Sequence, residues 1–274
     1  MENDKISIII PNYNKVDFLE QCVMSAIEQT YENKEVIVVD DYSTDSSTNI
    51  IRSLAEHYDV VKPILLQKNG GVSNARNIGI SQALGKYVTF LDADDYYYNP
   101  AKIENEISLL KQYAERGADI VAYSKVVRVN YTNTQKKLPV TNRRKYVNGD
   151  AKVDFVSNNK ASNIPRDYCI KKEIIEKCGL YCYEVDFYED LDLLLRLSFI
   201  VPFYCTFEYG TAYRNTPDGL SKRTHQESKA TVSAICQMYY KQLTASEKVQ
   251  VKLKSVLVLA GKIRGKLKSV VSKQ

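Results

Sequence analysis

Apolar residues follow two alternating rhythms through the first half of the chain. "ISIII" (6–10), "EVIVV" (35–39), "VKPILL" (61–66) and "YVTFL" (87–91) are short, β-branched and almost continuously apolar, as strands covered on both faces are. Between them, "DFLEQCVMSAIEQT", "STDSSTNIIRSLAEHY" and "VSNARNIGISQAL" carry apolar residues at helical spacing. A strand–helix–strand unit recurring about every 30 residues predicts an α/β fold, a mostly parallel twisted sheet flanked by helices. In such sheets ligands bind beyond the carboxyl ends of the strands. The second half is less regular. "AKIENEISLLKQYAERG" reads as a helix opened by Asn99 and Pro100. "ADIVAYSKVVRVNY" reads as one or two strands, and "TNTQKKLPVTNRRKYVNGD" as a polar, basic loop or insert. "DYCIKKEIIEKCGLY" and "YEDLDLLLRLSFI" read as helices.

At the C-terminal end, Val249, Leu253, Val256, Leu257, Ala260, Ile263, Leu267 and Val270 recur at helical spacing, with lysines on the other face. A basic amphipathic helix of this kind can lie on an anionic membrane or pack on the body with its charged face in water. From Glu247 onward eight bases face one acid, a net +7, so the rest of the chain carries −2 of the overall +5. Basicity belongs to the tail. Peripheral contact with a membrane through 247–274 therefore stays open, and no nucleic-acid partner is expected.

The 274 residues, 44% hydrophobic and 26% charged, suit one large domain or one domain with an appended segment. No run approaches the roughly 18 apolar residues of a membrane span. "MENDKISIII" is acidic and turns directly into a strand, so no signal peptide is expected. Six cysteines without a CxxC pair read as reduced thiols, which points to the cytoplasm. With two histidines, a metal here would be held by oxygen, which suits Mg²⁺ or Mn²⁺.

Candidate chemistry gathers at four consecutive strand ends. Pro11, Asn12, Tyr13 and Asn14 follow the first strand, Asp40 and Asp41 the second, Gly70, Gly71 and Arg76 the third, and Asp92, Asp94 and Asp95 the fourth. An aromatic, a carboxylate pair, a Gly-rich turn with an arginine and an acidic cluster together suit a nucleotide. Each has a plainer reading. Tyr13 can be a surface aromatic, Asp41 or Ser43 a helix cap, and Gly70-Gly71 a generic turn. The acidic cluster precedes a helix that has its own cap, so a divalent cation accounts for it better. Asp190 opens a helical run and serves either as an N-terminal acid or as a catalytic base. Asp192 and Arg196 form an i,i+4 pair and read as structural.

In order, "SIIIPNYNK", "EVIVVDDYSTDSS", "GGVSNARNIGI", "GKYVTFLDADD" and "YEDLDLLLRL" resemble the family 2 glycosyltransferases, nucleotide-sugar enzymes of the GT-A fold. The resemblance covers roughly residues 5–215. It implies a GT-A domain over 1–225, with a nucleotide-binding half (1–118), an acceptor-side half (119–225) and a helical basic extension (226–274). It implies a UDP-sugar donor and a glycan or lipid-linked saccharide acceptor, as in cell-surface polysaccharide synthesis. Carried over by position, Pro11 and Tyr13 line the base site and Asp41 meets the base edge. Arg76 supports the nucleotide pocket, Asp92 faces the ribose, Asp94 holds Mn²⁺ or Mg²⁺ with Asp95 alongside, and Asp190 is the general base of an inverting transfer. Three departures stand out. Tyr42 occupies the glycine position of the family's DDGSTD turn. Asn215 replaces a histidine, leaving Arg214, Lys222, Arg223 and His225 as candidates to close on the diphosphate. Without Trp, an acceptor platform would be built from tyrosines such as Tyr181, Tyr183 and Tyr188, or from Phe. A sugar-phosphate nucleotidyltransferase and a non-catalytic carbohydrate- or partner-binding protein on a degenerate GT-A-like scaffold are the rival readings. The first would carry a Gly-rich, basic loop where this chain has "PNYNK", and the second has no use for Asp41, Asp92, Asp94 and Asp190 together.

Overall fold

A computed structural model describes residues 4–132, 134, 137, 146–157, 165–185, 188–216 and 225–254, with backbone alone for 225–229. Its centre is a five-stranded sheet of order β3-β2-β1-β4-β7, with the short β7 (Ile170–Lys171) at one edge. Strands β1 (Ile6–Asn12), β2 (Lys34–Asp40), β3 (Val61–Leu65) and β4 (Tyr87–Phe90) run parallel, in register Ile8↔Val36 and Ile8↔Thr89. Helices α1 (Val16–Ile27), α2 (Ser47–His57) and α3 (Gly71–Gln82) make the crossovers. The continuous apolar runs are explained by burial on both faces. Ile6, Ile8 and Ile10 pack with Leu19, Val23 and Leu54 on one side of the sheet, while Ile9 packs with Ala75 and Ile80 on the other. Gly79 lets α3 press on β1, since a Cβ there would lie 2.4 Å from Cγ2 of Ile9.

The second half adds a three-stranded sheet of order β5-β8-β6, built from β5 (Tyr96–Tyr97), β6 (Val121–Asn130) and β8 (Phe203–Asn215). β6 pairs parallel with β8, and β5 pairs antiparallel with it. Two sequence expectations are corrected here. The helix expected from Pro100 begins at Lys102 (α4, Lys102–Ala114), because Pro100 and Ala101 form a turn before it; Oδ1 of Asn99 accepts from the Ala101 N–H at 2.9 Å. "DYCIKKEIIEKCGLY" is not one helix. Ile170–Lys171 form β7, antiparallel to β4, before α6 (Lys172–Lys177). Ladder bonds offered by the edge of β4 outweigh helix propensity at those two residues.

Helices α5 (Lys152–Val156), α7 (Glu189–Ser198) and α8 (His225–Tyr240) pack together, with Ile235, Cys236 and Tyr239 of α8 buried in the core. The Asp192–Arg196 pair is structural. Asp192 Oδ2 meets Arg196 Nη2 at 2.8 Å, Tyr239 donates to Asp192 Oδ1, and Arg196 also reaches the carbonyls of Cys178 and Leu180. Residues 245–254 are helical and packed, through buried Val251 and the pairs Lys152–Glu247 (2.9 Å) and Lys254–Asp154 (2.6 Å). The remaining tail, 255–274, lies outside the described residues, as do Lys222, Arg223 and the His225 side chain. Among the described residues no helix is long and apolar enough to cross a membrane.

Candidate active site

Parallel pairing brings the ends of β1, β2 and β4 side by side, and cross-links between their loops hold them there. Asp40 is buried and accepts from Asn12 Nδ2 (2.7 Å), Ser43 N (2.9 Å) and Ser43 Oγ (2.6 Å). Oδ1 of Asn14, itself at φ 52°, accepts from the backbone of Thr44 (2.8 Å) and Asp45 (3.3 Å). The Tyr13 ring is left 47% exposed, while Pro11 is buried within β1.

Asp41 points the other way. Its Oδ1 accepts from the Gly70 N–H (2.8 Å) and its Oδ2 from the Gly71 N–H (2.7 Å), which fastens the turn after β3 to the end of β2. Gly71 sits at φ 83°, a conformation open to glycine at little cost. Burial, with Asp40 adjoining, raises the Asp41 carboxyl above the ordinary range, although the two amides pull it down. Each of its oxygens keeps a second lone pair.

The acidic cluster follows β4. Ligand oxygens of Asp92, Asp94 and Asp95 lie within 4.8 Å of one another, the one such group among the described residues. The three carboxylates are held quite differently. Asp92 is gripped by two arginines, with Arg76 Nη2 at 2.8 Å from Oδ1 and Arg166 Nη1 at 2.7 Å from Oδ2. Burial works against its charge, yet the two guanidiniums keep its carboxyl below the usual range. Asp95 is buried and accepts from the Arg214 N–H at 2.8 Å. Burial first, then the charges of Asp94 and Asp92, push its carboxyl well above the usual range. Asp94 is the most open of the three, and its Oδ2 meets Lys15 Nζ at 3.0 Å.

Arg76 is buried, 1% exposed. It spans from Asp92 to Glu189 Oε1 (2.7 Å) and lies over the Tyr181 ring at 5.1 Å. The start of α7 is thereby indexed against the acidic cluster. Asp190, the next residue, is half-buried, and its Oδ1 accepts from the Leu191 N–H at 2.8 Å. Tyr188 enters the helix at φ 66°.

Arg166 was not legible as a site residue, because nothing around it in sequence resembles a motif. Its neighbour Asp167 anchors it. The Asp167 side chain takes the Tyr213 hydroxyl at 2.8 Å and the Thr211 hydroxyl, and its carbonyl takes Lys102 Nζ at 2.8 Å. Lys102 and Glu106 form a fully buried pair at 2.9 Å, with Ser124 donating to Glu106 at 2.7 Å. Arg214 lies beneath the acidic turn, donating to the Asp94 carbonyl at 2.6 Å and to Gln21, and flanked by Phe18 and Tyr96. Its contacts tie the acidic turn to α1 and β5. Tyr181, an expected platform residue, is 2% exposed and packs edge-on against Phe90, so it belongs to the core.

The model of glycosyl transferase family 2 matches residues 7–179, more than half of the chain. The chain belongs to that family. Over 107 residues it is 42% identical to an uncharacterized glycosyltransferase of Haemophilus influenzae, spanning 39% of this chain and 42% of that one. Over 120 residues it is 42% identical to the glycosyltransferase GlyA of Streptococcus pneumoniae, spanning 43% of this chain and 16% of that one. The chain thus spans less than half the length of these curated relatives. Among solved structures, TarS of S. aureus (residues 1–349, in complex with UDP-GlcNAc) superposes with a TM-score of 0.70 at 18% identity, covering 92% of this chain and 71% of that one. At that identity the likeness speaks to the fold, which is GT-A.

Proposed function

We propose that this chain is a metal-dependent, inverting glycosyltransferase that moves a sugar from a UDP-sugar to a hydroxyl of a glycan or lipid-linked saccharide, in cell-surface polysaccharide synthesis. The observation that carries the reading is the Asp92–Asp94–Asp95 trio at the end of β4, beside the loops bearing Tyr13 and Asp41. Family membership and the UDP-GlcNAc complex of the TarS structure support the donor class.

The residues present suit a hard divalent cation. Three carboxylates within 4.8 Å repel one another, and the Asp95 carboxyl is raised first by its burial and then by that repulsion. Asp94, the most open of the three, would hold Mn²⁺ or Mg²⁺ with Asp95 in support. Such an ion neutralises charge on a departing diphosphate. The chain's own residues do the rest. Tyr13 offers its ring to the base, and Asp41 offers the base edge its remaining lone pairs while anchoring the glycine turn. Asp92, immobilised by Arg76 and Arg166, presents a fixed carboxylate to the ribose. Arg76 acts only through Asp92 and Glu189, because it is buried. Asp190 accepts the proton of the attacking hydroxyl as the new glycosidic bond forms and the bond to the diphosphate breaks on the opposite face of the sugar. Such assistance is worth about 10²–10⁴-fold in rate.

Isothermal titration with UDP, with and without Mn²⁺, tests the metal assignment. Asp94→Asn should lose the Mn²⁺-dependent part of UDP binding, and unchanged affinity in both conditions would remove Asp94 as a ligand. Asp190→Asn should bind UDP like the wild type and lose transfer by about 10²–10⁴-fold. Near-normal turnover in that variant would remove the base.

A further inference from the structure

We propose that Tyr42 is a second aromatic wall of the base pocket and adds stacking affinity for the base of the nucleotide. The inference rests on the UDP-sugar reading above and names a residue that the reading leaves without a role. Tyr42 has a left-handed backbone, φ 67°, in a loop where glycine would cost least. Its ring is 53% exposed, and among the described residues no hydrogen bond or ring contact engages it. Core packing therefore does not explain why a bulky aromatic occupies a strained position.

The surrounding loop enforces the conformation. On one side Asp41 is tied to Gly70 and Gly71 through its side chain and to the Asn12 carbonyl through its N–H at 2.8 Å. On the other side Ser43 is held by Asp40, and its Oγ accepts from Asn12 Nδ2 at 3.2 Å and from the Asn14 N–H at 3.0 Å. Tyr42 is thus clamped between two anchored neighbours. The β1–β2 register ends at Asn12↔Asp40, so Tyr13 and Tyr42 project from adjoining loops at the same end of the sheet. Both rings are exposed, and the buried Asp41 immediately precedes Tyr42 in the second loop. An anchored loop that holds an exposed ring in an unfavourable backbone conformation is the pattern expected where strain is retained for binding. A planar heteroaromatic base is the ligand such a ring suits, because stacking needs a π-face and no particular hydrogen-bond pattern.

Three variants separate a binding role from a structural one. Tyr42→Gly and Tyr42→Asn both accommodate a left-handed backbone and remove the ring, while Tyr42→Phe keeps the ring. Titration of the full chain with UDP in Mn²⁺ should show a loss of about 5- to 100-fold for the Gly and Asn variants, the range that base–aromatic stacking spans. The Phe variant should stay within about twofold of wild type, since stacking does not need the hydroxyl. Thermal melting of Tyr42→Gly without ligand should be no lower than wild type, so that stability and affinity move apart. Wild-type UDP affinity in the Gly and Asn variants overturns the Tyr42 assignment and leaves the donor reading standing. A wild-type chain that binds no UDP with any divalent cation overturns both. A melting temperature that falls together with affinity in both ring-less variants makes Tyr42 a structural residue and overturns the assignment.

Discussion

Asp92 and Asp95 sit three residues apart, yet they answer to opposite forces. Two guanidiniums hold Asp92 ionised, whereas Asp95 is buried against its own neighbours and held uncharged to higher pH. A cation can displace that proton, so Mn²⁺ affinity should rise with pH, by at most about tenfold per pH unit for one proton released. Titrations in two buffers of different ionisation enthalpy would report the proton. Without a cation the sign for stability is the reverse. A carboxyl raised in the folded state contributes fully below its unfolded pKa, and that contribution is lost as pH rises through the folded value. Arg76 and Arg166 should also differ. Arg76→Met leaves Asp92 and Glu189 buried beside a missing charge and should cost about 3–5 kcal/mol in urea denaturation. Arg166 is 36% exposed, and Arg166→Met should cost about 1 kcal/mol or less. The acidic trio was legible because three carboxylates after an apolar run have few structural uses. Arg166 was not, because its meaning comes from a partner 74 positions upstream.

At the scale of elements, β5 explains "YYY", the run that gives the sequence its densest aromatic cluster. Tyr96 packs against Ala212, Val127 and Val129 and lies beside Arg214; Tyr97 is buried, with Lys102 Nζ 4.9 Å from its ring centroid; Tyr98 is exposed. Two residues of strand, flanked by an acidic turn and a helix, are too short to leave a periodicity. Lys102 and Glu106 are also an i,i+4 pair, a spacing common on solvated helix faces, but here the second sheet covers both. Burial pushes the Glu106 carboxyl up to about 7 even with Lys102 alongside. Lys102→Met should therefore destabilise the chain by about 3–5 kcal/mol, because it strands Glu106 and Asp167 in the core. Adding Glu106→Gln should restore part of that loss, and a double-mutant cycle in urea measures the coupling. Loss of the Lys102 anchor should also loosen the turn that brings Arg166 to Asp92.

Over the whole molecule, the tail begins as part of the body. Val251 and the Glu247 and Lys254 ion pairs bind residues 245–254 to α5 and its flanks. Truncation after residue 254 is thus the cleaner test of membrane contact. If the basic segment binds an anionic surface, the truncated chain should lose co-sedimentation with anionic vesicles while keeping its melting temperature. Equal sedimentation of both chains would place any membrane contact elsewhere. The sequence by itself determined the parallel α/β half and the strand ends at which the candidate residues gather, because burial on both faces of a parallel sheet imposes long apolar runs. It also determined which residue types stand there, since carboxylates and glycines at strand ends leave a local signature. Only the tertiary structure decided which carboxylate is gripped and which is left most open, that Asp41 fastens a glycine turn, that Arg76 is buried between Asp92 and Glu189, and that Tyr42 is held in a left-handed bend. Those outcomes depend on charges and loops brought together from distant parts of the chain, and electrostatic partners separated by dozens of residues leave no local pattern to read.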